Sequence, residues 1–234
     1  MSEPETVTDG IQALKRILPQ LLGLPVEKDL DITEHYRDES YPVSLIGIEA
    51  AYLDLVAQNE GMSLSKLFGG TRSTIALGES IGIQSSVQDV IREISRYVDS
   101  GITRIKVKIA PGNDLETMRA VRDAFPSLEL GADANAAYSA SDVSHLAKLA
   151  ELHLAFVEQP FAADDYDAHA ALRQTGTPVC LDETVRDLAT CKRAVQNGAC
   201  DMINIKPARI GSFKESRAIH DYCIENKVKL FGGG

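Results

Sequence analysis

A charged residue closes one short apolar run after another along this chain, at a nearly constant interval. Lys106, Asp133, Glu158, Asp182 and Lys206 are separated by 27, 25, 24 and 24 residues. Each interval has room for one strand, one helix and two short connections, the repeat of a βα unit. The runs are TIALGES (74–80), RIKVKIA (104–110), LELGAD (128–133), LAFVE (154–158), PVCLD (178–182), DMINIK (201–206) and VKLFG (228–232). Amphipathic segments lie between them near 86–99, 114–125, 141–151, 165–174, 187–196 and 212–225. Seven strands interleaved with six helices predict a parallel sheet. Runs such as LAFV and MINI are apolar almost throughout, as strands covered on both faces are. The expected fold is α/β, an incomplete TIM-type (β/α) barrel with seven of eight strands visible. In a barrel the strand carboxyl ends surround one mouth, so the recurring charges would share a centre. A doubly wound open sheet is the alternative, and it would part strand ends on either side of its switch point. No GxGxxG follows the first strand and no P-loop occurs, which leaves nucleotide binding without support.

Residues 1–72 read differently. Residues 6–22 carry helical apolar spacing at Ile11, Leu14, Ile17 and Leu21, with Pro19 late in the segment. Residues 43–58 form a second, strongly apolar helix, and Ser63 to Phe68 a short one ended by Gly69-Gly70. These helices have no strands of their own and must pack on something else. The expected division is a helical part at 1–72 and a barrel part at 73–234.

A formal net charge of -10 and a pI near 5.0 argue against nucleic acid or an anionic membrane as partner. Small anionic substrates remain open, because lysines can cluster locally. Cys180, Cys191, Cys200 and Cys223 form no CxxC pair and have no matching His cluster, so they read as reduced thiols, with Cys180 in the core. The absence of a basic-then-apolar leader and of a bilayer-length apolar stretch leads to the expectation of a soluble, cytoplasmic protein.

In RIKVKI, a period of two puts Arg104, Lys106 and Lys108 on one face and Ile105, Val107 and Ile109 on the other. An edge strand with a solvated basic face is the bland alternative. The flanking helices make this an interior strand, so its lysines point into the barrel and need partners. Asp133 ends the third strand in GADAN, with Asn135 two residues on. Glu158 ends the fourth in FVEQP, and Asp182 the fifth in VCLDE, with Glu183 beside it. A single carboxylate at such a place is usually a helix cap. Three on consecutive strands can face one point, and without His or Cys they suit a hard ion, Mg2+ first, with Mn2+ as substitute. Asp182 is preferred to Glu183 as ligand because adjacent residues point oppositely, leaving Glu183 to support the site.

Lys206 ends the sixth strand, four strands from Lys106 and Lys108, which in an eight-stranded barrel is diametrically opposite. A carboxylate substrate on the metal would then have a lysine on each face. That arrangement suits removal of a proton next to a carboxylate, whose dianionic enolate a metal stabilises as Lewis acid. Lys108, nearer the mouth, is the candidate base, with neighbouring cations and partial burial lowering its pKa. Lys206 is the opposing acid/base or a cation–π stabiliser.

KVK, DAN, EQP, LDE and NIKPARIG, in that order and spacing, resemble the enolase superfamily, muconate-lactonizing subgroup. DANAAY, CLDET and NIKPARIG are most similar to the branch of o-succinylbenzoate synthases and N-acylamino acid racemases. The general use of a lysine base with Mg2+ in this superfamily is itself a stock example of tuned acid/base chemistry. The resemblance implies metal ligation by Asp133, Glu158 and Asp182, acid/base roles for Lys108 and Lys206, and support from Lys106. It sets Arg209 near the second lysine, and counts Asn135, Glu183 and Gly232 with the substrate side. It further implies a small-molecule carboxylate substrate, a homo-oligomer, and either syn dehydration to o-succinylbenzoate in menaquinone biosynthesis or racemisation of N-acylated amino acids. Muconate cycloisomerisation, dipeptide epimerisation and an inactive fragment are the other readings. By the same resemblance, residues 1–72 correspond to the later, helical part of an α+β capping domain. The chain would end at Phe231-Gly232-Gly233-Gly234, before an eighth strand.

Overall fold

The computed structural model describes residues 6–23, 25–26, 32–36 and 41–233. Gly234 and residues 1–5, which the sequence reading puts at the end of the seventh run and the start of the helical part, lie outside the described residues. The chain divides into two compact units.

The first unit comprises residues 1–75 and 206–219. It contains α1 (Val7–Leu21), α2 (Ile32–His35), α3 (Pro42–Asn59) and α4 (Leu64–Leu67). Thr6 opens α1 with a capping box, its hydroxyl accepting from the Asp9 amide. Pro42 sits in the first turn of α3, where its missing N–H leaves no bond unmade. Ala13, Ile17, Ile32, Tyr36, Leu45 and Ile48 form the unit's core, with Leu14 and Leu21 packed against it. Ile11, expected on the buried face, is instead 47% exposed. The apolar arc of α1 is wider than the strip its neighbours cover. Within the same unit the buried Glu49 carboxylate accepts from the Phe213 amide at 2.9 Å.

The second unit, residues 76–205 and 220–233, is built on one parallel sheet. Its strands are β1 (Gly78–Ile81), β2 (Arg104–Lys108), β3 (Glu129–Asp133), β4 (Phe156–Glu158), β5 (Val179–Leu181), β6 (Met202–Ile205) and β7 (Lys229–Gly232). They pair in chain order with no reversal, which rules out the doubly wound alternative and gives the incomplete TIM-type barrel. Between them run α5 (Val87–Asp99), α6 (Leu115–Ala124), α7 (Val143–Leu146), α8 (Tyr166–Gln174) and α9 (Leu188–Gln196). α10 (Pro207–Ile210) and α11 (Phe213–Glu225) follow β6.

Two expected elements differ. The first strand begins at Gly78 rather than residue 74, because β2 offers no partner before Arg104, which pairs with Gly78. Ile75 and Leu77 are accordingly exposed. The helix expected at 141–151 is α-helical only over α7, with 3-10 turns at Ala140–Asp142 and Ala147–Leu152. Leu146, Leu149 and Leu152 are all buried, and three residues per turn stacks that spacing on one face. The four cysteines are free and buried, Cys180 in the core as expected and the other three beyond that expectation. No helix among the described residues is long and apolar enough to cross a membrane.

Gly131 in β3 explains the small residue in GADAN. A Cβ there would stand 2.8 Å from the ring of Phe156 on β4. The close approach lets Phe156 reach Phe231, with ring centroids 5.8 Å apart.

Candidate functional site

β2 alternates as the sequence requires, with Ile105 and Val107 buried and Arg104, Lys106 and Lys108 partly exposed. Parallel register sets Lys108 beside Asp133, and Asp133 beside Glu158. Glu158 pairs with Cys180, two residues before Asp182. Three acids thus stand at three adjacent strand ends, and all three are buried.

Lys106 Nζ lies between two of them, 2.7 Å from Glu158 Oε1 and 3.1 Å from Asp133 Oδ2. The ring of Phe231 faces the same ammonium at 5.9 Å, within the range of cation–π attraction. Burial opposes charge on Lys106, but Glu158 and Asp133 outweigh it and raise its pKa, so the ammonium persists. Lys108 reaches higher, donating to Asp133 Oδ2 at 3.2 Å and to Asn135 Oδ1, and its side chain is 39% exposed. Asn135 donates in turn to Glu183 Oε1 at 3.0 Å. Glu183 thus turns toward Asn135, and Asp182 beside it is fully buried.

Glu158 has the most constrained chemistry. It is fully buried, its Oε1 accepts from Lys106 and from Asn204 Nδ2 at 3.1 Å, and its Oε2 has no hydrogen-bond partner. Burial raises its pKa. Lys106 pulls it back, and the Asp133 and Asp182 carboxylates push it up again.

The lysine between Asp133 and Glu158 alters the expected convergence. Among the described residues no three His, Cys, Asp or Glu side chains stand together as a metal-holding group. The cation that Asp133 and Glu158 share is the Lys106 ammonium. The donor set still fits a hard divalent ion. It is all oxygen, the buried Glu158 Oε2 is unpartnered, and the Asp133 and Asp182 carboxylates both act on Glu158.

Lys206 and Arg209 belong to the first unit, Lys206 capping α10 and Arg209 lying within it. Gly232 ends β7 opposite Ile205 and is exposed. Two polar residues escaped the sequence reading. Asn204 sits in the apolar run MINI, and its parity with Lys206 in DMINIK was the available signal. Gln159, buried at a φ of +38°, is bonded to the ends of both neighbouring strands.

The chain matches the family described as Enolase C-terminal domain-like over residues 89–234. It is 41% identical over 233 residues to an o-succinylbenzoate synthase of Geobacillus kaustophilus, an alignment covering 98% of this chain and 62% of that protein. It is 39% identical over 237 residues to an N-succinylamino acid racemase of Thermus thermophilus, covering 98% and 63%. The crystal structure of an enolase-superfamily member from Listeria innocua matches with a TM-score of 0.88 at 36% identity, over 98% of this chain and 63% of that one. The chain spans about three fifths of the length of these relatives. With a family match over more than half its length, and relatives this similar along nearly all of it, the chain belongs to the Enolase C-terminal domain-like family.

Proposed function

We propose that this chain carries the catalytic end of a divalent-metal enzyme that removes a proton from the carbon next to a carboxylate. The observation that carries the reading is Glu158, a fully buried carboxylate with an unpartnered oxygen and two further carboxylates acting on it. A site with that excess of buried negative charge favours a cation beyond Lys106. Asp133, Glu158 and Asp182 would hold it, and their oxygen chemistry suits Mg2+, with Mn2+ as substitute. Such an ion, when bound, supplies Lewis-acid stabilisation of the charge that develops on the substrate as it loses its proton.

The chain's own residues divide the remaining work. Lys108 is assigned to accept the proton at Nζ, with Asn135 and Asp133 fixing the direction of that nitrogen. Lys106 stays protonated and contributes fixed positive charge beside Asp133 and Glu158. Lys206 is assigned the second acid/base role, returning a proton in racemisation or opposing the intermediate's charge in dehydration. Arg209 is assigned a place near Lys206, Glu183 the support of the carboxylates, and Gly232 the substrate side. Residues 1–72 are read as part of a capping domain and 73–234 as barrel, within a homo-oligomeric cytoplasmic enzyme acting on a small carboxylate. Four free cysteines accord with that compartment.

Formation of o-succinylbenzoate by syn dehydration is the first assignment and racemisation of N-succinylamino acids the second. The names of the two relatives support both. With Mg2+ in D2O, proton NMR of N-succinylamino acids should show loss of the α-proton signal. With the β-hydroxy acid precursor, o-succinylbenzoate should accumulate. Lys108→Ala and Asp182→Asn should abolish both. Turnover of neither substrate, or activity indifferent to both variants, would sink the reading.

A further inference from the structure

The mouth of the sheet contains a group that the reaction does not consume. Gln159 follows Glu158 directly, is fully buried, and holds a left-handed backbone at a φ of +38°. L side chains rarely adopt that conformation. A non-glycine residue keeps it only where its surroundings dictate it. Here they do so from both sides. Its amide donates to Cys180 O of β5 at 2.8 Å, and its carbonyl accepts from Ala136 N, beyond β3, at 2.7 Å. Ala136 is itself left-handed, at a φ of +61°.

The side chain extends the same clamp. Oε1 accepts from Asp182 N at 2.9 Å and from Thr184 N at 3.1 Å. Nε2 donates to Thr184 Oγ1 at 2.9 Å and to Phe161 O at 3.0 Å. A second layer supports it. His169 Nδ1 lies 2.6 Å from Asp165 O, which makes that nitrogen the donor and leaves Nε2 to accept from Phe161 N and face Gln159 Nε2, both at 3.4 Å. Burial lowers the His169 pKa, in keeping with a neutral ring. The position needs an acceptor and a donor at once. Leucine would remove the acceptor that the buried Asp182 and Thr184 amides use.

From this geometry we infer that Gln159 is the positioning residue of the site, fixing the backbones that carry Glu158 and Asp182 so that their carboxylates face one cation. The inference rests on the metal reading proposed above and deepens it. Groups that orient metal ligands without touching the metal characteristically change affinity by about 10- to 100-fold when removed.

The test uses the chain with Mn2+ alone, followed by electron paramagnetic resonance, alongside hydrogen exchange of the Asp182 and Thr184 amides. Gln159→Leu should raise the Mn2+ Kd by about 10- to 100-fold and speed exchange at both amides. Thr184→Val should weaken Mn2+ binding by less, and Thr184→Ser, which keeps the hydroxyl, should restore it. A folded Gln159→Leu chain with wild-type Mn2+ affinity overturns the inference. Should Gln159→Leu fail to fold, the Thr184 pair decides, and equal affinity for Val, Ser and wild type overturns it. Wild-type chain that binds no Mn2+ removes the metal reading itself and Gln159's part in it. Weaker Mn2+ binding without faster exchange at the two amides overturns the positioning role while leaving the metal site standing.

Discussion

In the N-terminal helices, Ala13, Ile17, Ile32, Leu45 and Ile48 press against one another, and each contact is of the same non-directional kind. At the carboxyl ends of β2 to β6, Lys106, Asp133, Glu158, Asn204 and Gln159 each hold a named partner at hydrogen-bond distance. The two regions should therefore fail differently. An apolar core loses stability in proportion to the volume removed. A buried charged network loses more than the deleted group contributed, because the surviving charges stay in place without compensation.

The largest effect should come from Lys106→Met. It would leave Glu158 and Asp133 as buried carboxylates with no ammonium between them, and removal of one partner from such a set typically destabilises by about 3–5 kcal/mol. Urea unfolding would measure it. Added Mg2+ should recover part of the loss, since a ligand held only by the folded chain stabilises it. A loss under about 1 kcal/mol, on the scale of an exposed ion pair, would show that the carboxylates accept water instead.

Gly131→Ala comes next. A methyl group 2.8 Å from the Phe156 ring forces the ring or the strand to move. Such overpacking costs about 1–3 kcal/mol. Because Phe156 touches Phe231, and Phe231 faces Lys106, the same substitution should disturb the charged network from its apolar side. A Tm equal to wild type would mean that Phe156 can turn aside freely.

Much of this contrast is legible in the sequence. Period two in RIKVKI separates the lysines from the buried isoleucines, and the spacing of Asp133, Glu158 and Asp182 assigns them to consecutive strand ends. Spacing places a residue on an element but does not say which neighbour fills the gap between elements. That is why Lys106 standing between Asp133 and Glu158, and Gln159 spanning to Asp182, could not be read. Both depend on inter-strand register and on side-chain length. The late start of β1 has the same origin, since a strand begins where its partner begins. The 3-10 turns around α7 do leave a trace, because Leu146, Leu149 and Leu152 recur with a period of three.

His169 sharpens the comparison through pH. Its pKa lies below its ordinary 6.5 in the folded chain, because burial disfavours the charged ring. The unfolded chain takes up the proton first as pH falls. Stability is therefore full above about 6.5 and declines below it, toward the lowered folded value, by at most about 1.4 kcal/mol per pH unit for one proton. His169→Gln should flatten that part of the profile in urea melts run from neutral to mildly acidic pH. An equally steep decline in the variant would assign the effect to other groups.

The smallest effect belongs to the outer side of α1, and it marks the limit of the apolar region. Val7, Ile11, Leu18 and Leu22 are 82%, 47%, 46% and 81% exposed. Their spacing of four and seven sets them on one side of the helix. Ala13 and Ile17 of the same helix are buried. A side chain that keeps half its surface in water loses little on becoming polar, so Leu18→Gln should change stability by no more than about 0.5 kcal/mol. Ile17→Val, one residue away and a single methylene smaller, should cost about 0.5–1.5 kcal/mol. The order of these two neighbours is the test. If Leu18→Gln proves the costlier in the same unfolding assay, the outer face of α1 is covered in solution, and the helical unit extends beyond the core described by Ala13, Ile17 and Leu45.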